Sequence, residues 1–309
     1  MLNSDSLIER GYLRKKLTFW RTVAILIFVA LLLKLFSGQG VGGASPLNKF
    51  SPNYIARISI TEVIDHDSDR EGILHDLAND PSVSAVILYI NSPGGSAVGG
   101  ETLYKSLKEL NAKKPVVTVM GSLATSAAYL APLGTSRIYA HNGTITGSIG
   151  VIMQMPNVKE LTDKMGIKFD FIKTAPLKGS PSPFEASSPE ALAVLNRIVQ
   201  DFYTYFVNVV AEERKLDVAE VRKIADGRVV SGLEAKGLKL IDEIGGEPEA
   251  ASWLIENNSL PKDIKVKEYS LKKPDTPFAK LMQTAVFLKE LGARLTDSLK
   301  ISGLSSIWR

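Results

Sequence analysis

Apolar residues along this chain fall into short blocks, separated by turns rich in Gly, Pro and polar residues. Residues 54–63 (YIARISITEV) alternate, which predicts a strand. Residues 69–79 carry Ile73, Leu74 and Leu77 on one side and predict a helix. Residues 83–90 (VSAVILYI) are almost continuously apolar, the pattern of a short strand buried on both faces. That run ends in a turn, Asn91-Ser92-Pro93-Gly94-Gly95-Ser96, and a helix follows to about Leu110. Residues 115–120 (PVVTVM) predict the next strand, broken at Gly121-Ser122, with a helix starting over 124–130. Further strands are predicted at 136–140, 168–173 (KFDFIK) and 265–271. Further helices are predicted at 158–165, 189–214 and 218–225, the long one with Pro in its first turn, where a missing N–H does no harm. Strands alternating with helices imply an α/β fold with a mainly parallel core.

The N-terminal region follows a different pattern. Residues 23–33 (VAILIFVALLL) hold no polar side chain, and the apolar stretch extends over 17–37 with Arg21 and Lys34 near its ends. About 20 mostly apolar residues suffice to span a bilayer. The whole chain has a formal charge of +4, which at first suggests a nucleic-acid partner. Residues 1–49, however, hold seven basic and two acidic residues, whereas the other 260 hold 30 basic and 31 acidic. The basic excess therefore belongs to the leader, and no nucleic-acid partner is expected. By the positive-inside rule it keeps the N-terminus cytoplasmic and sends the body across the membrane. The expected organisation is a cytoplasmic N-terminus at 1–16, a single-pass anchor in the inner membrane at 17–37, a Gly/Ser/Pro linker at 38–53, a folded extracytoplasmic body at 54–255 and a C-terminal extension at 256–309. A cleaved signal peptide is the alternative for the leader, because its apolar core is short and Gly42-Gly43-Ala44 resembles a cleavage site. In the extension, Phe278, Leu281, Ala285, Leu288, Leu291, Leu295 and Leu299 form an amphipathic helix, either docked on the body or facing a membrane or partner.

Composition narrows the chemistry. The absence of Cys excludes a disulfide scaffold, thiolate metal ligation and a cysteine nucleophile. Three His offer little for a metal site, and no metal or cofactor is expected. In parallel α/β sheets, sites form at the carboxyl ends of strands. The turn at 91–96 and the segment Gly121-Ser122-Leu123-Ala124-Thr125-Ser126-Ala127-Ala128-Tyr129 both lie there. Ser126 sits among small residues at a helix start, where backbone N–H groups face outward, and the glycine turn offers more of them. Together they could form an oxyanion hole, although small residues at a helix start also serve packing. A serine nucleophile needs a base. His66, His75 and His141 lie in polar segments with no obvious path to Ser126. A lysine is the other option, and Lys178, in a loop of small residues (APLKGSPSP), competes with Lys173.

Five ordered segments carry a specific resemblance. GSLATSAAYLAP at 121–132 resembles the nucleophile segment of the bacterial signal peptide peptidase A family (protease IV type), usually written with Ala-Ser-Gly-Gly. YINSPGGS at 89–96 resembles its oxyanion turn, a feature shared with Clp protease subunits. TGSIGVIMQMPN at 146–157, IKTAPLKGSPSPF at 172–184 and DGRVVSGLEAKGLKLIDEIGG at 226–246 are similar to its remaining signatures. The resemblance covers about residues 54–255 and implies the short, single-domain form with a ClpP/crotonase-like fold. It implies Ser126 as nucleophile, Lys178 as general base and Ser148 as the group that orients the lysine. It also implies an oxyanion hole from the Ala127 N–H and an N–H of the Gly94-Gly95 turn. The implied activity is a membrane-bound serine endopeptidase for released signal peptides and other short hydrophobic peptides, working as a homo-oligomer whose sites are shared between subunits. Thr125 and Ala127-Ala128 depart from the family pattern, and the alanines are expected to narrow the cleft if the glycines admit substrate closely. The rival readings are a non-catalytic scaffold of the same fold and a crotonase-type acyl-CoA enzyme, the latter lacking visible acidic catalytic residues.

Overall fold

The alternating and continuous apolar runs pair into one eight-stranded sheet. In the computed structural model, which describes residues 20–21 and 53–272, the elements are β1 (Tyr54–Ile60), α1 (Ser68–Asn79), β2 (Val83–Ser92), α2 (Ala97–Lys113), β3 (Val116–Thr125), α3 (Ala127–Leu130), a 3-10 turn (Ala131–Gly134), β4 (Arg137–Ala140), β5 (Ile145–Gly147), α4 (Lys159–Lys164), α5 (Pro189–Arg214), α6 (Val218–Ile224), β6 (Val229–Ser231), α7 (Gly232–Gly237), β7 (Glu243–Ile244), α8 (Glu247–Asn257) and β8 (Lys265–Glu268). The main path runs β6-β5-β3-β2-β1-β8, with β4 also paired to β3 and to β7. All pairings are parallel except β5 with β6.

Side chains of the central strands alternate between two faces, as a period of two requires. Ala56, Ile58, Val86, Leu88, Ile90 and Val116 join the larger core with α1, α2, α3 and α5. Ile55, Ala85, Ile87, Val117 and Val119 face α8 through Ala250 and Leu254. Burial on both faces explains why 83–90 reads as one unbroken apolar run. The long helix α5 begins as its sequence predicts. The Ser188 hydroxyl accepts from the Ala191 N–H, Pro189 follows, and the helix ends at Lys215 in the left-handed region.

Three expectations need correction. β3 does not break at Gly121-Ser122 but continues to Thr125, so α3 starts at Ala127 rather than near 124. Its upper half leaves β4 and pairs with β5 (Leu123 with Ile145, Thr125 with Gly147). A side chain at Gly121 would lie 2.6 Å from the Tyr89 hydroxyl, so the glycine serves this crowded crossing and not a turn. Residues 168–173 alternate but form no strand, because no strand of the described residues pairs with them, and Phe169, Phe171 and Ile172 are exposed. The final strand is shorter than expected, at Lys265–Glu268, and forms the sheet edge beside β1. Among the described residues no helix is long and apolar enough to cross a membrane. The expected anchor at 17–37, apart from Trp20 and Arg21, and the amphipathic stretch at 278–299 lie outside the described residues.

Candidate active site

The strand β3 delivers Ser126 to a tight corner before α3. Ser126 is a non-glycine residue at φ 56°, ψ −122°, a sparsely populated conformation that persists only when its surroundings fix it. They do so on three sides. The Ser126 N–H donates to the Gly147 carbonyl at 3.0 Å, and the Ser126 carbonyl accepts from the N–H groups of Tyr129 and Leu130 at 2.8 and 2.9 Å. All four residues of α3 are buried, and the Tyr129 hydroxyl donates to the Leu240 carbonyl at 2.9 Å. Burial of that phenol pushes its pKa up. α3 is only one turn, so its free N–H groups matter here more than any summed dipole.

The glycine turn closes against this corner. Gly94 has φ 107°, and a Cβ there would lie 2.7 Å from the Thr125 carbonyl oxygen and 2.9 Å from the Ser126 Cβ. At Gly95 a Cβ would lie 1.8 Å from the Ile64 carbonyl oxygen. Both positions therefore require glycine. The Gly94 carbonyl accepts from the Ile64 N–H at 2.8 Å, and the Ile64 carbonyl accepts from the Ser96 N–H at 3.0 Å. In a trans peptide the C=O and N–H point in opposite directions. With the Gly94 carbonyl tied to Ile64, the Gly95 N–H points the other way. The Gly94 N–H is engaged by the Ser92 hydroxyl at 3.2 Å, which leaves Gly95 as the free donor of the pair.

Ser148 stands at a second strained corner, φ 52°, directly after Gly147 at φ 79°. Its N–H donates to the Arg228 carbonyl at 2.8 Å. Ser126, Ala127, Gly95 and Ser148 line one cleft of about 640 Å³. Its walls are apolar, from Leu130, Val151 and the α5 residues Ile198, Val199, Phe202 and Phe206. Residues 198, 202 and 206 form a helical stripe running from the mouth, where Ile198 is exposed, to the buried Phe206. A spacing of four within α5 carries this signal in the sequence, where the apolar positions of a helix of this length do not by themselves separate a cleft wall from core. Asp226 also lines the cleft. Hydrogen bonds from the Arg228 guanidinium, helped by the Arg228 N–H, hold its carboxyl down to about 2.

Lys178 does not line this cleft. It sits on an exposed arm, residues 151–188, with no side-chain ion pair among the described residues. Lys173, its competitor, is engaged: its ammonium donates to the Glu185 carboxylate at 2.5 Å and to the Ser180 hydroxyl at 3.2 Å. Hydrogen bonds to that carboxylate, from the Lys173 ammonium first and then from the Ser180 hydroxyl at 2.8 Å, hold the Glu185 carboxyl below its ordinary range. His66 faces Glu71 at 3.1 Å, His75 is exposed, and neither they nor His141 line the cleft. The structure thus brings together Ser126, Gly94, Gly95, Ala127 and Ser148 within one chain, and leaves Lys178 outside.

Of the two alanines, Ala127 lines the cleft and Ala128 does not. The Ala127 methyl is directed at Gly100 of α2, where an added Cβ would lie 2.9 Å from it. Ala128 is fully buried. A glycine on the neighbouring helix makes the room that glycine on α3 would have made.

The chain is similar to known proteins over most of the described body. Residues 108–260 match peptidase family S49, and residues 55–145 match the Clp protease family. A candidate protease of Synechocystis sp. is 34% identical over 261 residues, covering 82% of this chain and 93% of that protein. A candidate signal peptide peptidase SppA of Enterococcus faecium is 34% identical over 207 residues, 67% of this chain and 59% of that one. Protease 4 of Haemophilus influenzae is 32% identical over 230 residues, 71% of this chain but 37% of its own length. The chain belongs to the SppA family of serine peptidases, family S49, and its α/β fold is ClpP-like.

Proposed function

We propose that this S49 peptidase is a membrane-anchored endopeptidase in which Ser126 is the nucleophile and Lys178 the base, and that the lysine of each site comes from a neighbouring copy in a homo-oligomer. The observation that carries the reading is the strained Ser126 corner packed against the glycine turn, with the Gly95 N–H turned away from Ile64. The neutral Lys178 amine takes the Ser126 hydroxyl proton as the oxygen attacks a peptide carbonyl. The Gly95 and Ala127 N–H groups donate to the oxyanion, where such donors act most strongly. The resulting ammonium gives its proton to the leaving amine as the C–N bond breaks. Water then adds to the acyl-enzyme, its proton returning through Lys178, and Ser126 is restored. Ser148 hydrogen-bonds the amine and aims it.

Delivery by a neighbour accounts for an otherwise awkward pairing, a base that is exposed in its own chain and a nucleophile that is not. The apolar walls set the substrate class. Burying one leucine-sized side chain against Phe202 and Phe206 contributes about 1.5–3 kcal/mol, which suits short hydrophobic peptides such as released signal peptides. The apolar stretch at 17–37 and its basic flank would hold the domain on the extracytoplasmic face of the membrane.

The test uses the full chain in detergent with a fluorogenic apolar peptide. Ser126→Ala and Lys178→Ala should each lose cleavage by at least ~10³-fold, within the range for loss of a nucleophile or base. Mixing the two variants should restore part of the activity if sites are shared. Full activity in Ser126→Ala would sink the nucleophile assignment, and no rescue on mixing would sink the shared site alone.

A further inference from the structure

We propose that Thr125, one of the residues departing from the family pattern, is a positioning residue whose hydroxyl latches the oxyanion turn to the nucleophile strand. The proposal rests on Ser126 being the nucleophile. Thr125 is the last residue of β3, and only 7% of it is exposed. Its backbone pairs with Gly147 of β5, and the next residue is Ser126. Its hydroxyl donates to the Pro93 carbonyl at 2.9 Å. One residue therefore touches three parts of the site: the strand leading to Ser148, the Ser126 corner and the glycine turn.

The main chain alone provides no such tie. The β2–β3 register is irregular between Ile90 and Ser92, and its last pair is Ser92 with Ala124, one residue short of Pro93. Pro93 has no N–H to extend the ladder. The Pro93–Gly94 peptide is instead held at both ends by side chains, its carbonyl by Thr125 and its N–H by the Ser92 hydroxyl. Beyond it stand two glycines, which resist rotation least of all residues. Without the Thr125 hydroxyl, the Pro93 carbonyl would lose its partner, and the turn would keep only the Ser92 hydroxyl and its bonds to Ile64. Rotation of these peptide planes moves the Gly95 N–H away from where charge develops in the transition state. An interaction realised only there affects kcat and leaves KM nearly unchanged.

The test compares the full-length protein with its Thr125→Val, Thr125→Ser and Thr125→Ala variants. Valine keeps the shape and removes the hydroxyl, and serine keeps the hydroxyl. Cleavage of a fluorogenic apolar peptide gives kcat and KM. Inhibition by a tripeptide aldehyde with leucine at its reacting end reports on the tetrahedral oxyanion adduct. Thr125→Val should lower kcat about tenfold, less than outright loss of an oxyanion donor, with KM within about twofold and aldehyde affinity reduced by a similar factor. Thr125→Ser should recover both to within about threefold. If the valine variant fails to fold, Thr125→Ala carries the same expectation. Wild-type kcat and aldehyde affinity in the folded valine or alanine variant would overturn the latch, as would an equal loss in the serine variant. An active Ser126→Ala would instead overturn the nucleophile assignment beneath it.

Discussion

The two halves of the site are built in opposite ways. Around Ser126, main-chain bonds dominate. The serine's N–H goes to Gly147, the Ser148 N–H to Arg228 and the Gly94 carbonyl to Ile64, and the α3 side chains are buried. The arm that carries Lys178 has one short helix with no buried residue, and Ile152, 77% exposed, lies at its base. Main-chain bonds such as that from the Val158 N–H to the Pro183 carbonyl at 2.8 Å tie its ends, and side chains do the rest. Phe169 stacks on Phe184 at 4.2 Å, and Lys173, Ser180 and Glu185 close the loop around Lys178. A nucleophile needs a fixed angle, and buried main-chain bonds supply it. On the proposed mechanism, a base that reaches a neighbouring copy needs to be presented, and a side-chain clasp on an exposed arm would supply that.

The same substitution in the two halves gives the sharpest contrast. Gly95→Ala drives a methyl into the Ile64 backbone, which cannot move away as a flexible side chain could. Peptide cleavage should fall by at least ~10²-fold, as for loss of an oxyanion donor, and the melting temperature should drop. Gly179→Ala, beside Lys178, meets nothing within 4 Å and carries only the strain of φ 71°, so calorimetry should show a loss of no more than about 1 kcal/mol. Equal effects at the two glycines would erase the distinction.

Breaking the clasp should have an intermediate effect. Glu185→Gln removes the charge facing Lys173, and turnover should fall about three- to tenfold, the scale of a misplaced group rather than a missing one. The pH dependence follows from the direction of the Glu185 shift. Its carboxyl is held below the ordinary range, so the clasp is complete above that range and is lost as pH falls through the lowered value. Wild type and Glu185→Gln should therefore differ at neutral pH and converge in acid. A constant ratio of their rates as pH falls through the carboxylate range and below it would show that the clasp does not shape the arm.

The contrast between the halves also decides what was legible in the sequence. The apolar run at 83–90 and the Pro-led start of α5 read correctly because burial on both faces and proline in a first helical turn are local signals. The path of β3 did not, since its continuation depends on the Thr144 hydroxyl bonding the Gly121 carbonyl and on Asn91 bonding the Leu123 N–H, both distant in sequence. Strands of two or three residues, such as β5, β6 and β7, are too short for any period to show. KFDFIK has the alternation of a strand, but alternation states only that two faces differ, and no strand of the described residues pairs with it. Ser126 and the glycine turn stood out because their motifs end strands of one parallel sheet, whereas Ser148 was named only through family resemblance, since β5 before it is too short to show. That Lys178 lies outside its own chain's cleft was implied only through family resemblance, because no residue pattern encodes distance.

The backbone angles at Ser126 and Ser148 bear on heat resistance. Each serine occupies a conformation costing about 1–3 kcal/mol for a residue with a side chain. Glycine would relieve that strain, at the expense of about 0.5–1 kcal/mol of extra freedom in the unfolded chain. Ser126→Gly should thus melt at the wild-type temperature or a few degrees above it while cleaving nothing, and a lower melting temperature would mean that the hydroxyl also supports the fold. On this account thermal gains at these two positions would come at residues the proposed mechanism uses, unlike those at Lys215, Lys239 and Ser259, which are also at positive φ. Selection for endurance and selection for turnover act there in opposite directions.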